Sequence, residues 1–557
     1  MEANAIPPTR FTENRSIDLA VVKAGFAAIR AEFGVAGPMP LNVEEAAKAA
    51  VPVSQGRRDA TDLAMVTLDP ASSTDLDQAF AFSLEPGANG GMDLRHANIV
   101  LHYAIADIGA FAPLGGVVET EAWKRGTTVY APDGSVPVYP RILCQDRASL
   151  LPDGPRPCIL LEVVVAPDGT PVLHNVERAT VRSRAKLAYE STTKADLAPE
   201  AVELARRVTE AEDRRGAFRV ELDEQEVVID EELPMGLALR FAARAESEDL
   251  NACVSLAANM AVALAMIERG VGLFRVMNDP DAAELASLRR TARTLGVAWN
   301  RHESLRQVVP RLDVHNPKHI AFSISARRSG GGAYYAVFPA SALPAVALPA
   351  SAPSLVVPTE LVASSVLSGE SPSALQGESS DHVQVERETS NGARNDHPRP
   401  TIVLHEGKPW HSAMAAPYAH ATAPMRRLAD RYVLELLLAE FSGDEASKVA
   451  LLLKLFDLPA AMADADHRAA KVDRACLDYA ECVILASRVG EIFEVTVLEV
   501  SREIAQFTIE DPCVLARIRV PKPKPGEPEV SPGDELTVRL DAVDAKLRRL
   551  TFSVVRQ

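Results

Sequence analysis

The sequence predicts a multidomain α+β protein, and three observations predict it. Residues 61–185 are rich in strand-like runs while 198–312 turn helical, and that mixture over such a length suggests an α+β core. Residues 15–50 have helical spacing, and the tail from 487 shows five short strands. The length, 557 residues, fits three or four units at about 150 residues per domain.

In chain order, Leu19, Val22, Phe26, Ile29 and Phe33 form the stripe of an amphipathic helix. Gly34 and Gly37-Pro38 end it, and a second helix starts at Val43. The pair reads as a small helical domain over 1–60, either helix-turn-helix-like or a small bundle cap. Strands follow in AMVTLD, QAFAFSL, ANIVLHYAIADI, CILLEVVVAPDG and PVLHNVERATV, separated by Pro and Gly clusters. Helices are expected at Ala252–Glu268 and Ala282–Leu295. The apolar run Ala252–Ile267 is short for a membrane span and carries Ser255 and Asn259, so it reads as a buried core helix. Residues 339–400, rich in Pro, Ser and Ala without a sustained period, read as a flexible insertion. Helices return at 424–441 and 444–484. The core thus spans 61–440, with a helical end over 441–486. Five strands in about 70 residues fit a small closed β-barrel of the OB type over 487–557.

Composition narrows the function classes. Hydrophobic residues at 47% and charged residues at 24% exclude a wholly disordered chain, a collagen and a small disulfide scaffold. The net charge of −17 repels nucleic acid and membrane in bulk, so a polyanion needs local Arg and Lys clusters or divalent metal. The six cysteines include no Cys-x-x-Cys pair, which argues against zinc and suits a reducing cytosol. With no apolar h-region at the N-terminus, a soluble cytoplasmic protein is expected.

Three segments carry chemistry. In Val66–Phe80 a strand delivers Asp69, a Ser/Thr loop follows, and Asp75 and Asp77 stand two apart, on one face if extended. Three converging carboxylates repel one another, and a hard cation, Mg²⁺ or Mn²⁺, relieves that repulsion. The other reading is a solvated turn capped by aspartates. In Tyr418–Asp430, Thr422 is placed to cap a helix with Pro424, Arg426 and Arg427 in its first turn. Arginines there invite a phosphate, unless one pairs with Asp430. In Arg125–Pro140, Tyr130 can stack on a base or merely pack.

Together these segments resemble the RNase II/RNase R (RNB) exoribonucleases. TLDPxxxxDLDxA, RGTTVYxPD followed by VPxxP, AKLAY (185–189) and HATAPMRR stand in family order and at family distances. The resemblance implies an RNB catalytic core and an OB-fold RNA-binding tail. It implies that Asp69, Asp75 and Asp77 are metal-binding and catalytic carboxylates, with Gln78 beside them in the metal shell. Arg426 would grip the scissile phosphate with Arg427 beside it, Tyr130 would clamp the terminal nucleotides, and Tyr189 would add a contact. The activity implied is Mg²⁺-dependent 3′→5′ hydrolysis of single-stranded RNA to nucleoside 5′-monophosphates by two-metal-ion catalysis, Mn²⁺ substituting, in a monomer. A catalytically weak or inactive RNA-binding relative and a metal-dependent endonuclease are the rival readings. Three departures from the family pattern stand out. Gln78 replaces the usual fourth aspartate, a late acidic residue is replaced near Lys471, and helices stand where the family has cold-shock barrels.

Overall fold

The computed structural model describes residues 19–53, 56–87, 90–217, 224–230, 236–242, 244–313, 316–338, 404–405, 407–501, 503–509, 512–520 and 530–555. The expected insertion over 339–400 lies outside them. Helices α1 (Leu19–Glu32) and α2 (Leu41–Ala49) precede a seven-stranded sheet. Its strands are β1 (Arg58–Asp59), β2 (Met65–Asp69), β3 (Gln78–Glu85), β4 (Asn98–Ala106), β7 (Arg156–Val165), β8 (Pro171–Val181) and β9 (Ser183–Ala188). Between β4 and β7 come α3 (Val117–Arg125) and the hairpin β5 (Val129–Ala131) and β6 (Gly134–Val136).

The sheet order is β1-β8-β7-β4-β3-β2-β9, antiparallel except for the parallel pairs β1–β8 and β2–β9. The middle strands β4 and β7 read NIVLHYAIA and RPCILLEVVV and are buried along most of their length, as strands covered on both faces must be. Helix α4 (Pro199–Arg215) packs on α5 (Glu246–Glu268), and α5 lies on β7 and β8. α5 is long and apolar enough to cross a membrane, yet Leu250, Val254, Ala258, Ala261 and Val262 are buried in the core.

The stretch expected to be helical over 198–312 also holds strands: the hairpin β10 (Glu224–Ile229) and β11 (Leu237–Ala242), then β12 (Gly272–Val276). Their β-branched and apolar runs, EVVI and LFRV, are too short to propagate a helix. Helices α6 (Ala282–Leu295), α7 (Leu305–Val308) and α8 (Pro317–Arg328) share a small core of their own around Leu288, Leu295 and Phe322. Strand β13 (Tyr334–Phe338) pairs with β12, and the short β14 (Leu404–His405) and β15 (Lys408–Pro409) pair with each other. Then come α9 (Leu428–Ser442), α10 (Glu445–Leu455) and the long α11 (Leu458–Leu485). The expected five-stranded barrel follows as β16 (Ile492–Ser501), β17 (Ile504–Ile509), β18 (Val514–Arg519), β19 (Glu535–Asp544) and β20 (Arg549–Val554). Its order is β18-β17-β16-β19-β20, and the edge strands β18 and β20 approach each other to nearly close it.

The N-terminal helices do not share a core of their own. Val22, Phe26 and Ile29 of α1 join a core with α11 and the barrel, whereas Val43 and Ala47 of α2 join the core of the large sheet. An amphipathic stripe says that a helix buries one face and is silent on which partner covers it. Here Tyr479 of α11 packs edge-on against Phe26, at a ring separation of 5.5 Å, and lies over Gly25.

A β-carbon at Gly25 would stand 2.3 Å from the Tyr479 ring, which is fully buried and cannot swing away. Gly25→Ala is therefore expected to destabilise the chain by about 1–3 kcal/mol, the usual cost of overpacking. Denaturant unfolding checks it, and an unchanged midpoint would show that α1 is loosely docked.

Candidate active site

Strand β2 ends at Asp69, and the loop after it is tied down at several points. The Lys186 ammonium on the neighbouring β9 donates to the Ala71 and Ser73 carbonyls at 2.7 and 2.5 Å. The Ala71 N–H donates to the Glu190 carboxylate at 3.0 Å. Ser149 donates to the Thr74 carbonyl at 2.7 Å and accepts from the Leu76 N–H at 2.9 Å. A free solvated turn would lack these ties; this loop is clamped between two strands' worth of neighbours, and it delivers Asp75 and Asp77 in fixed places.

Asp77 is 1% exposed. Its Oδ1 accepts from the Met425 N–H and its Oδ2 from the Arg426 Nε–H, both at 2.8 Å. Burial pushes its carboxyl up to about 7 in spite of Arg426. Asp69 is pushed up to about 6, again by burial first, with Arg426 and Lys186 pulling down and Asp75 pushing up. Its Oδ2 is buried without a hydrogen-bond donor. Such an atom is what a cation's ligand looks like without the cation, because a buried acceptor left unpaired is costly. Asp75 is partly exposed.

The carboxylates are not gathered as the sequence suggests. Among the described residues no three His, Cys, Asp or Glu side chains stand together as a metal cage. Asp75 lies close enough to Asp69 to raise its proton affinity, while Asp77 is turned to Arg426. Gln78 departs further from the expected metal shell. Its Oε1 accepts from the Tyr103 hydroxyl and, at 3.0 Å, from the Ser255 hydroxyl, so it is already engaged.

The arginine segment also differs from expectation. Residues 417–427 are loop and turn, and α9 begins only at Leu428. Thr422 does not cap the helix; it accepts from the Asn259 side chain at 3.3 Å. The Met425 N–H, the donor a cap at Thr422 would have used, goes to Asp77, and Asp430 at the start of α9 holds the preceding loop. It accepts from the Ala423 N–H at 2.8 Å and from Arg427 through two hydrogen bonds of 2.9 and 2.7 Å. Arg427 is thus the arginine that pairs with Asp430, and it holds the loop.

The Tyr130 segment is pinned to this loop. The Thr128 N–H and the Thr127 hydroxyl donate to the Arg426 carbonyl at 2.9 and 3.2 Å, and the Leu428 N–H donates to the Gly126 carbonyl at 2.9 Å. Tyr130, 53% exposed on β5, lies within electrostatic reach of Arg426. Tyr189 follows β9, donates its N–H to the Asp69 carbonyl at 3.1 Å, and accepts on its hydroxyl from Asn251 at 2.7 Å. Asp69, Asp77, Tyr130, Tyr189 and Arg426 therefore occupy one region. Lys471 is exposed on α11, and Asp466 on the same helix pairs with Arg275 at 3.2 Å. Sequence reasoning missed Lys186, Ser149, Tyr103, Asn251 and Ser255. Only Lys186 lay within a quoted motif; Tyr103, Asn251 and Ser255 are scattered polar residues on β4 and α5, and Ser149 lies in a bend before β7.

The RNB domain family matches residues 57–442, most of the chain and every one of these motifs. The chain belongs to the RNB family. The RNase II-type exonuclease C-terminal S1 domain matches residues 491–555, the barrel. Ribonuclease R of Thermotoga maritima is 29% identical over 260 residues, 43% of this chain and 35% of that protein. Exoribonuclease 2 of Enterobacter sp. is 35% identical over 160 residues, 28% of this chain and 23% of that protein. The matches thus span about a third or less of the curated relatives' length. Mycoplasma genitalium RNase R, solved in complex with ribose methylated single-stranded RNA, superposes with a TM-score of 0.75 at 18% identity, covering 96% of this chain and 78% of that one. Yeast Ssd1, a pseudonuclease, superposes at 0.57 and 15% identity over 89% and 55%. These two likenesses establish the fold alone.

Asp69 binds its proton more tightly in the folded chain than at its ordinary value of 3.8. Between about pH 4 and 6 the folded state therefore holds the extra proton, and this group makes folding stability fall as pH rises. Asp69→Asn removes that slope. Relative to wild type, the metal-free variant is expected to gain stability from pH 4 to 6, by at most about 1.4 kcal/mol per unit, and to level off above. A flat difference in denaturant unfolding across that range would show the Asp69 carboxylate to be solvated.

Proposed function

We propose that the chain is a 3′→5′ exoribonuclease that hydrolyses single-stranded RNA to nucleoside 5′-monophosphates with divalent metal, Mg²⁺ or Mn²⁺. The observation that carries the reading is the Asp77–Arg426 bond beside the unbonded Asp69 carboxylate, in a chain of the RNB family. RNB nucleases are generally divalent-metal dependent, and the donor set fits. Asp69 and Asp75 offer hard oxygen ligands, one Asp69 oxygen being without a donor, while both Asp77 oxygens are engaged by Met425 and Arg426. When bound, divalent cations supply Lewis-acid charge at the scissile phosphate, the two-metal arrangement being our expectation.

The remaining roles belong to this chain's side chains. Arg426 is oriented by its Nε–H bond to Asp77, which leaves its terminal nitrogens to meet charge that develops on the phosphate. Because Asp77 already holds the guanidinium, little reorganisation is needed during reaction. The half-exposed Tyr130 ring offers a stacking platform for a terminal base, and Tyr189 flanks Asp69 from β9. The barrel would track nucleotides farther from the reacting end. Cytoplasmic location and a monomeric state complete the proposal. The solved RNase R complex with single-stranded RNA supports that substrate class.

Asp77→Asn is expected to abolish hydrolysis of a 5′-labelled single-stranded RNA while leaving its binding nearly intact. A carboxylate that matters in the transition state contributes to rate more than to affinity. A denaturing gel with and without Mg²⁺ reads the outcome. Activity within about tenfold of wild type, under ~1.4 kcal/mol, would remove Asp77 from the mechanism. Wild type that binds RNA without degrading it would favour the inactive-relative reading, and cleavage of circular RNA the endonuclease.

A further inference from the structure

Gln78 opens β3 immediately after Asp77, and it is the side chain least explained by a metal-centred reading. Its amide oxygen is the acceptor for two hydroxyls from two different elements, Tyr103 on β4 and Ser255 on α5. Those hydroxyls are themselves 2.8 Å apart, and Tyr103 is fully buried. Each hydroxyl carries one proton and gives it to the amide oxygen, so the approach between the two hydroxyls is a contact and the oxygen is the engaged end of the amide. The other end, the Nε2 amide, donates to no described residue and is not among the buried unpaired atoms. Gln78 as a whole is partly exposed.

A carboxylate held by the same two hydroxyls would place a negatively charged acceptor beside Asp77. Glutamine, its oxygen engaged, leaves a neutral donor without a partner among the described residues. The region already carries Asp69, Asp75 and Asp77 against the cations of Arg426 and Lys186, so a further anion would be repelled and a donor would not. Donors of this kind suit oxygen acceptors, and RNA offers two, phosphoryl oxygens and 2′-hydroxyls.

We infer that Gln78 is a substrate-positioning residue, its amide N–H donating to a phosphoryl or 2′-hydroxyl oxygen near the RNA 3′ end, and that it is not a metal ligand. This deepens the exoribonuclease reading and rests on it. Tyr103 and Ser255 are then positioning residues that hold the amide the right way round.

The test is RNA binding without metal. The probes are a fluorescent single-stranded RNA and the same oligonucleotide with 2′-deoxy residues at its 3′ end, both in EDTA, with melting curves for every variant. Gln78→Glu places a carboxylate where the donor stood and is expected to weaken RNA binding about tenfold or more, the range for a charged-group hydrogen bond reversed in sign. Gln78→Met lacks the donor without adding charge, which covers the case in which Glu disturbs folding, and it is expected to fall between wild type and Glu. Loss of the wild-type-to-Met difference on the deoxy probe assigns the acceptor to a 2′-hydroxyl, and its persistence to a phosphoryl oxygen. Equal binding by wild type, Gln78→Met and Gln78→Glu overturns the inference while leaving the exoribonuclease reading intact. Tighter metal binding by folded Gln78→Glu, measured by calorimetry, with RNA affinity in EDTA unchanged, also overturns it and returns position 78 to the metal shell. Wild type that binds no RNA overturns both.

Discussion

The ion pair between Asp77 and Arg426 joins residues 349 positions apart. A carboxylate as buried as Asp77 would cost several kcal/mol if left alone, so the loop that supplies Arg426 and the Met425 N–H must be in place before Asp77 can be ionised there. The rest of the site follows from that requirement. The arginine loop is held by Asp430 through Arg427 and the Ala423 N–H, and Thr127 and Thr128 hold the Arg426 backbone. On the other side Lys186 and Ser149 hold the loop that carries Asp75 to Asp77. Two adjacent arginines thus divide the work: one fixes the loop, and the other faces the carboxylates.

On the proposed function, this arrangement answers the charge problem that a polyanionic substrate poses to a chain of net charge −17. Arg426 lowers the proton affinity of both Asp69 and Asp77 and lies close to Tyr130, so one cation serves the carboxylates and the aromatic together. Bulk repulsion then acts at long range, where salt screens it, while the attraction acts at contact. The raised carboxyl values of Asp69 and Asp77 mark the same site from another direction, since they arise from desolvation that a bound cation would offset.

The sequence made periodic elements readable because periodicity is local. The α6 boundaries, Ala282–Leu295, coincide with expectation, and an Asp281–Glu284 capping box explains why that start was sharp. The barrel strands and the buried character of α5 were equally plain, since alternation and unbroken apolarity report burial directly. What could not be read depends on contacts between distant segments. The stripe on α1 gave no hint that Tyr479 would cover it, and α9 starts only at Leu428, the Met425 N–H that a cap at Thr422 would have used being taken by the distant Asp77. At the site, the motif spacing singled out Asp69, Asp77, Tyr130, Tyr189 and Arg426, and the fold brings these five into one region. The partners of Gln78 stayed hidden because Tyr103 and Ser255 look like stray polar residues on apolar elements.

The central claim is that Asp77 and Arg426 act as one unit around which the site is built. A double-mutant cycle on the folding stability of the metal-free protein tests it most directly, with Asp77→Asn, Arg426→Met and the double variant measured by denaturant unfolding at pH 8. The account expects a coupling energy of at least about 1 kcal/mol, each single variant costing more than it costs when the partner is already gone. Additive effects, with coupling near zero, would show that the two residues merely lie close and that the loop is positioned by something else.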